Sequence, residues 1–359
     1  MPSLLSGRYS AVKVRKILYV TAGAILASMT NLADIQGAPR SRRTTAPVVG
    51  RFAPSPTGRM HLGNVFSSLV AWLSAHSQDG RIVLRIEDLD DRARSGPWAE
   101  LLMDDLHWLG LDWDEGPFYQ RDRLDAYEEA CGRLGRAGLL YPCFCTRAEL
   151  HAASAPHATD GTPIYMGACR DLSAQEVADR SARRAPALRL RVPDADDPAG
   201  SIGFIDRAFG PQHECLAREC GDFLVRRSDG VFAYQLAVTV DDALMGITEV
   251  VRGCDLLSST PRQMYLQDLL GYWHPAYAHV PLVVAPDGRR LSKRDGDCDM
   301  GALRERFANP AQLLGIVAHA AGIAPDRAPR TAEQLIDLFS WDAVAQHRSN
   351  IVVDPTFFE

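Results

Sequence analysis

The chain lacks an excess of positive charge. Over 359 residues, 39 lysines and arginines face 45 aspartates and glutamates, a net charge of −6. That excludes a small basic module whose whole surface binds nucleic acid. A nucleic-acid enzyme with a local basic groove is still allowed, because a phosphate footprint is the property of a patch. A long apolar run is also missing. The nearest approach, in VKVRKILYVTAGAILASM at residues 12 to 29, is about a dozen residues, too short to span a bilayer comfortably. There is no internal repeat and no low-complexity tract. Nor are the cysteines crowded as in a small stapled secreted domain: the eight stand dispersed at 131, 143, 145, 169, 215, 220, 254 and 298. The remaining balance is that of a soluble globular chain, long enough for two domains or one large one with an insertion.

What is present divides unevenly. Residues 1 to 46 have a basic start, the short apolar run and small residues after it. A signal-peptide core has that pattern. A mis-assigned translation start or a loose appendage is the alternative, favoured because the chemistry below belongs in the cytoplasm. GAPRSRRTTAP is a linker. After Val48, strands and helices alternate. APVVGRFA and RIVLRIED have strand character, whereas HLGNVFSSLVAWLSAHSQ has apolar residues at 62, 65, 66, 69, 70 and 73, a helical spacing. PWAELLMDDLHWLG, with Pro97 near its start and Gly110 after its end, is a second helix, and RDRLDAYEEACGRLGRAG a third. This alternation predicts an α/β fold with a Rossmann-type parallel sheet. Its first half is expected over 47–140, an insertion over 141–215, the second half over 216–300 and a short helical region over 301–359. In the second half, DFLVRRSDGVFAYQLAVTVDD suggests two strands around a Ser228-Asp229-Gly230 hairpin turn, with Tyr234 on the second. Beyond 300 the pattern is helical to Ser340.

RFAPSPTGRMHLGN, residues 51 to 64, joins the first strand to the first helix. In a doubly wound sheet, ligands bind at the carboxyl ends of strands, where helices begin. A helix N-terminus offers N–H groups and partial positive charge to phosphate. Gly58 and Gly63 permit close backbone approach, and His61 adds a donor. A plain strand–helix turn with a surface histidine explains the same residues. RRLSKRDG, residues 289 to 296, is in turn either a phosphate-binding basic loop or a solvated one.

Together, and in this order, the two motifs resemble those of the class I aminoacyl-tRNA synthetases. His61-Leu62-Gly63-Asn64 corresponds to their His-x-Gly-His signature, and Arg290-Leu291-Ser292-Lys293-Arg294 to their Lys-Met-Ser-Lys-Ser. RFAPSPTGRMHLGN, RIEDLD, YQLAVTVDD, VRGCDLL and LSKRDG resemble the glutamyl branch in particular. Asn64 replaces the second histidine, as in relatives of this branch, and Arg290 replaces a lysine, keeping the charge but not the donor geometry. The resemblance implies catalytic roles for His61 and Lys293, and ATP binding by His61, Gly63, Asn64, Ser292 and Lys293, with Mg2+ accompanying the nucleotide. A glutamate pocket must neutralise two carboxylates and hold one ammonium. Arg51 and Arg252 can each fork onto a carboxylate, Glu87 can take the ammonium, and Ser55 and Tyr234 offer hydroxyls. The resemblance assigns glutamate to Arg51, Phe52, Ala53, Pro54, Ser55, Glu87, Tyr234 and Arg252. No protein nucleophile is required, so the protein aligns the reactants and stabilises phosphate charge.

Cys143, Cys145 and Cys169 lie close in sequence and suggest one structural zinc lacking a fourth ligand. His151, His157 and Tyr165 are the candidates, and three unpaired thiols in a loop are the plain alternative. Here the resemblance narrows to the glutamyl-queuosine tRNA(Asp) synthetases, which carry Cys-x-Cys followed by Tyr-x-x-x-Cys. It selects Tyr165, with His157 kept open by the long spacing. In the same subfamily no anticodon-binding domain follows the catalytic body, and here only 65 residues follow Arg294. The implied function is tRNA-independent, ATP-dependent activation of L-glutamate and its transfer to queuosine in the anticodon of tRNA(Asp), by a monomer with no membrane partner. A shortened glutamyl-tRNA synthetase charging the 3′ end of tRNA(Glu), and a non-enzymatic synthetase-like binding paralogue, are the alternatives.

Overall fold

The computed structural model describes residues 47–94, 96–150, 164–289, 291, 298–354 and 356–359. Strands β1 (Val49–Phe52), β2 (Arg81–Ile86) and β3 (Glu115–Tyr119) pair in parallel, in the order β1-β2-β3. The connections are helices Leu62–His76 and Trp98–Leu109. The first helix buries Leu62, Val65, Phe66, Leu69, Val70 and Leu73, the six positions that its periodicity singles out. The second begins after Pro97 and stops at Gly110, whose φ of 71° is a left-handed cap that glycine adopts without strain.

The chain then leaves the parallel sheet. Helix Leu124–Arg136 leads to β4 (Leu140–Cys143), which pairs antiparallel with β5 (Ala187–Leu190). A hairpin of β6 (Ser201–Asp206) and β7 (Gly210–Cys215) follows, and β8 (Phe223–Arg226) completes the β4-β5-β8 sheet. The parallel architecture resumes at β9 (Glu249–Gly253) and β10 (Ala276–Val280), joined by helix Ser259–Leu270. β9 sits beside β1: the Thr248 N–H donates to the Val49 carbonyl at 2.9 Å. The Arg51 guanidinium donates to the Val251 carbonyl at 2.8 Å. From β1 the chain therefore runs outward through β2 and β3, then returns to β1's other side with β9 and β10. That reversal is the switch point where the crevice of a doubly wound sheet opens.

The hairpin expected around Ser228-Asp229-Gly230 is only a turn. A single antiparallel bridge joins Arg226 to Phe232, and the chain then enters helix Tyr234–Leu244. Tyr234 thus starts a helix and does not lie on a strand. The β-branched run Val238, Thr239, Val240 suggests a strand, but every residue from Leu236 to Ala243 is buried. A helix enclosed on all sides has no polar face, so its period is invisible. Its two buried acids are matched from other elements. Asp241 accepts from Gln120 at 2.9 Å, Arg123 at 2.6 Å and Tyr127 at 2.8 Å. Asp242 accepts from the fully buried Arg85 at 2.6 Å.

Beyond 300, helices Met300–Arg306, Pro310–Ala320 and Ala332–Ile336 agree with the expected pattern. Helix Trp341–Ala345 continues past Ser340, and β12 (Ile351–Val352) pairs in parallel with β11 (Val283–Val284). No helix among the described residues is long and apolar enough to cross a membrane.

Candidate active site and metal centre

A cleft of about 420 Å³ opens at the carboxyl ends of β1, β2, β9 and β10, within the size range of small-molecule sites. Arg51, Phe52, Ala53, Pro54, Ser55, His61, Gly63, Asn64, Glu87, Tyr234 and Arg252 all line it. The fold thus gathers into one cavity every described residue named for glutamate or ATP. Ser292 and Lys293 lie outside the described residues, as do Arg290 and Arg294.

His61 caps the first helix with its side chain. Its Nδ1 accepts the Gly63 N–H at 3.1 Å, and Asn64 Oδ1 accepts the His61 N–H at 3.0 Å. A reciprocal capping box of this kind fixes the ring and leaves the neutral imidazole's proton on Nε2. Gly63 is needed for it. A Cβ there would stand 3.0 Å from His61 Cε1 and 3.1 Å from Nδ1. Gly63→Ala is accordingly expected to tilt the ring and lower kcat/KM for ATP about 10-fold, with the KM for glutamate nearly unchanged. Pyrophosphate exchange at varied ATP and varied glutamate checks this. Equal shifts in both constants would detach His61 from the nucleotide.

The residues just after the basic segment are tied to this turn. Leu291 and Cys298 are buried in the core that holds Met60 and Leu62. Asp299 forms an isolated bridge with His61, and the Met300 N–H donates to the Met60 carbonyl at 2.8 Å.

On the other side of the cleft lie two buried arginines, each 5% exposed. Arg51 has Asp242 at 3.8 Å. Arg252 has neutral partners: Nε donates to His279 Nε2 at 3.0 Å, Nη1 to Gln263 at 2.9 Å and to Tyr234 at 3.4 Å, and Nη2 to Thr260 at 2.8 Å. Among the described residues no carboxylate lies within ion-pair distance of it. Burying such a charge without a counter-ion is costly, so the site is built to receive an anion. Glu87 faces the opposite problem. Burial pushes its carboxyl above the ordinary range, although Arg85, 3.2 Å away, pulls it back down. A cation arriving in the cleft would stabilise its charged form. Sequence reasoning missed Arg85, Thr260, Gln263, His279 and Asp206. Arg85 opens the RIEDLD motif but was given no role, and the other four lie outside the quoted motifs, where a polar residue that serves a distant side chain leaves no local periodicity.

In the β4-β5-β8 region, Cys143, Cys145 and Cys169 place their sulfurs within 4.8 Å of one another. Cys145 and Cys169 are 3.7 Å apart, and the Tyr165 hydroxyl lies 3.6 Å from Cys143 Sγ and 3.9 Å from Cys145 Sγ. A tetrahedral zinc with bonds of about 2.3 Å to sulfur and 2.0 Å to oxygen needs edges of about 3.8 Å (S···S) and 3.5 Å (S···O). The Cys145–Cys169 distance and the two distances from Tyr165 match those edges, and the three sulfurs are compatible with zinc. Their protons fit less easily. Burial opposes ionising Cys143, but the Cys145 backbone N–H, Arg189 and Tyr165 outweigh it and hold that thiol below its ordinary value. Burial and the Cys143 thiolate push Cys145 up to about 12, and burial raises Tyr165 as well. A divalent cation at the centre would let all four ionise. The Arg189 guanidinium stacks 3.7 Å from the Tyr165 ring centroid and donates to Cys143 Sγ at 3.3 Å. His151 and His157 lie outside the described residues.

The family model for the class I tRNA synthetase (E and Q) catalytic domain matches residues 47–349. The chain belongs to that family. A glutamyl-Q tRNA(Asp) synthetase of Nitratidesulfovibrio vulgaris is 48% identical over 303 residues, covering 81% of this chain and 91% of the relative. The chain is thus a ligase-type enzyme of the glutamyl-Q tRNA(Asp) synthetase group. One from Symbiobacterium thermophilum is 47% identical over 302 residues, with coverage of 81% and 91%. Among solved structures, the glutamate-tRNA synthetase of Elizabethkingia anophelis superposes with a TM-score of 0.74 at 26% identity, covering 87% of this chain and 69% of that one. A glutamate tRNA ligase from Elizabethkingia meningosepticum, in complex with its amino acid, gives 0.73 at the same identity.

Proposed function

We propose that this enzyme activates L-glutamate with ATP and Mg2+, without tRNA, and transfers it to queuosine in the anticodon of tRNA(Asp). The observation that carries the glutamate half is Arg252, a buried guanidinium at the end of β9 whose partners among the described residues are all neutral. In this reading Arg252 and Arg51 bind substrate carboxylate, Glu87 takes the ammonium, and the turn Phe52 to Ser55 with Tyr234 encloses the side chain. The α-carboxylate then attacks the ATP α-phosphorus, forming a P–O bond as the bond to pyrophosphate breaks. His61, Gly63 and Asn64, together with Ser292 and Lys293, hold the phosphates and meet the developing charge. A hydroxyl of the acceptor next attacks the acyl carbon, an ester forms and AMP leaves. Cys143, Cys145, Tyr165 and Cys169 would hold one zinc, which supplies structure to the 141–215 segment and takes no part in the chemistry. A cytoplasmic location is the reading that ATP, glutamate and tRNA as reactants support.

The acceptor half is supported by the names of the relatives and by the cysteine–tyrosine set. It is tested by offering labelled glutamate to tRNA(Asp) with queuosine, tRNA(Asp) without it, and tRNA(Glu). Label is expected only on the modified tRNA(Asp), as an ester on the cyclopentene ring. Label on tRNA(Glu) alone would leave glutamate activation standing and replace the acceptor by a 3′-terminal adenosine.

A further inference from the structure

Arg252 is held in part from outside the cleft. Its Nε–H points into His279, a residue of β10 that is fully buried and does not line the cleft. An arginine can only donate, so His279 Nε2 must be an acceptor. The ring's single proton is then on Nδ1, which lies 2.6 Å from Asp206 Oδ2. Burial holds the imidazole below its ordinary value against the pull of Asp206, and the Arg252 charge acts in the same sense. Asp206 is fixed in turn. Its Oδ1 accepts the N–H groups of Ala208 at 3.0 Å, Phe209 at 2.9 Å and His279 at 3.2 Å. Asp206 ends β6, so the β6–β7 hairpin reaches the amino-acid pocket through this chain of bonds.

We propose that Asp206 and His279 are positioning residues that set the affinity for glutamate, by holding His279 in the tautomer that accepts from Arg252. The imidazole also acts as a spacer. It keeps the Asp206 carboxylate away from the guanidinium, which stays open to a substrate carboxylate. This rests on the reading of Arg252 as a glutamate ligand.

Asp206→Asn tests it with almost no change in shape. Three N–H groups oblige the amide oxygen to take the Oδ1 place, so the NH2 group must face His279 Nδ1. That nitrogen becomes an acceptor, the proton moves to Nε2, and two donors confront each other at the Arg252 contact. The wrong tautomer is costly wherever an imidazole must accept. Asp206→Asn is expected to raise the KM for glutamate about 10-fold or more in pyrophosphate exchange, with the KM for ATP within about twofold. Nitrogen-15 NMR of labelled histidine should show His279 changing from Nδ1–H to Nε2–H. Adding His279→Gln to Asp206→Asn should rescue glutamate binding, because an amide oxygen again accepts from Arg252. Additive damage in the double variant, or an unchanged tautomer, overturns the proposal. If Asp206→Asn does not fold, two single variants decide. His279→Gln keeps the acceptor for Arg252 and should stay within about threefold of the parent, whereas His279→Asn keeps the donor to Asp206 and should not. The reverse order overturns the proposal. Arg252→Lys is run alongside. If it leaves the KM for glutamate unchanged, the reading of Arg252 falls and this inference with it. If it raises that KM while Asp206→Asn does not, only this inference falls.

Discussion

Arg252→Ala is expected to raise the KM for glutamate by on the order of 10³-fold in pyrophosphate exchange, while the KM for ATP stays within a few-fold. The size follows from what is removed. A buried, charge-assisted pair with a carboxylate is worth about 3–5 kcal/mol when one partner is truncated, because the other is left desolvated and alone. At about 1.4 kcal/mol per decade this gives a thousandfold or so. The cavity would not collapse around the loss. Thr260, Gln263 and His279 are held by neighbours of their own, with Gln263 donating to Gln235 at 3.0 Å and His279 to Asp206 at 2.6 Å. Gln263 Oε1 and His279 Nε2 would each lose their arginine donor, and the single Thr260 hydroxyl, 3.4 Å from His279 Nε2, could not serve both. Lysine restores the charge but not the planar fork, and an intermediate loss of about 10²-fold is expected. Equal loss for glutamate and ATP in Arg252→Ala would mean that the residue supports the fold of the cleft and not a substrate.

The second large effect concerns the metal. Purified protein is expected to hold one zinc per chain by elemental analysis, and Cys143→Ser to hold almost none. The Cys143 sulfur is the one that Arg189 Nε reaches, at 3.3 Å, with the Tyr165 hydroxyl at 3.6 Å. Serine would leave Arg189 facing a poor ligand in a buried site. Because metal binding is folding free energy, chelation should lower the melting temperature by roughly 10 °C or more. Tyr165→Phe removes one donor of four and should weaken zinc about 10–100-fold without abolishing it. If Tyr165→Phe keeps full affinity and His157→Ala releases the metal, the fourth position passes to His157.

The motif turns were legible because their chemistry is local. The segment from Arg51 to Asn64 has to turn, cap a helix and present donors within fourteen residues, and each demand leaves a mark. The first helix was legible because its opening turns bury Leu62, Val65, Phe66, Leu69 and Val70 on one face, although from Leu69 to Ala75 every residue is buried. Helix Tyr234–Leu244 was not, because burial on every side erases the period that betrays a helix. The supports of Arg252 were illegible for another reason: His279 and Asp206 are separated by 73 residues and meet only through the fold. One compositional signal was available for the basic loop. Beyond residue 46 the chain contains a single lysine, Lys293, and arginine takes every other permanently cationic position.

The backbone tie between Met60 and Met300 has a consequence for exchange of parts between relatives. The histidine turn and the downstream end of the basic loop share one mounting, since the Met300 N–H is bound to Met60 and Asp299 is bridged to His61. Neither can be re-aimed alone. A chimaera that imports a foreign basic loop inherits a foreign seat for its far end, and the histidine turn must accommodate that seat or be pulled off its cap. Compatible replacements would therefore travel as a pair, the two segments drifting together over evolutionary time although the chain keeps them far apart.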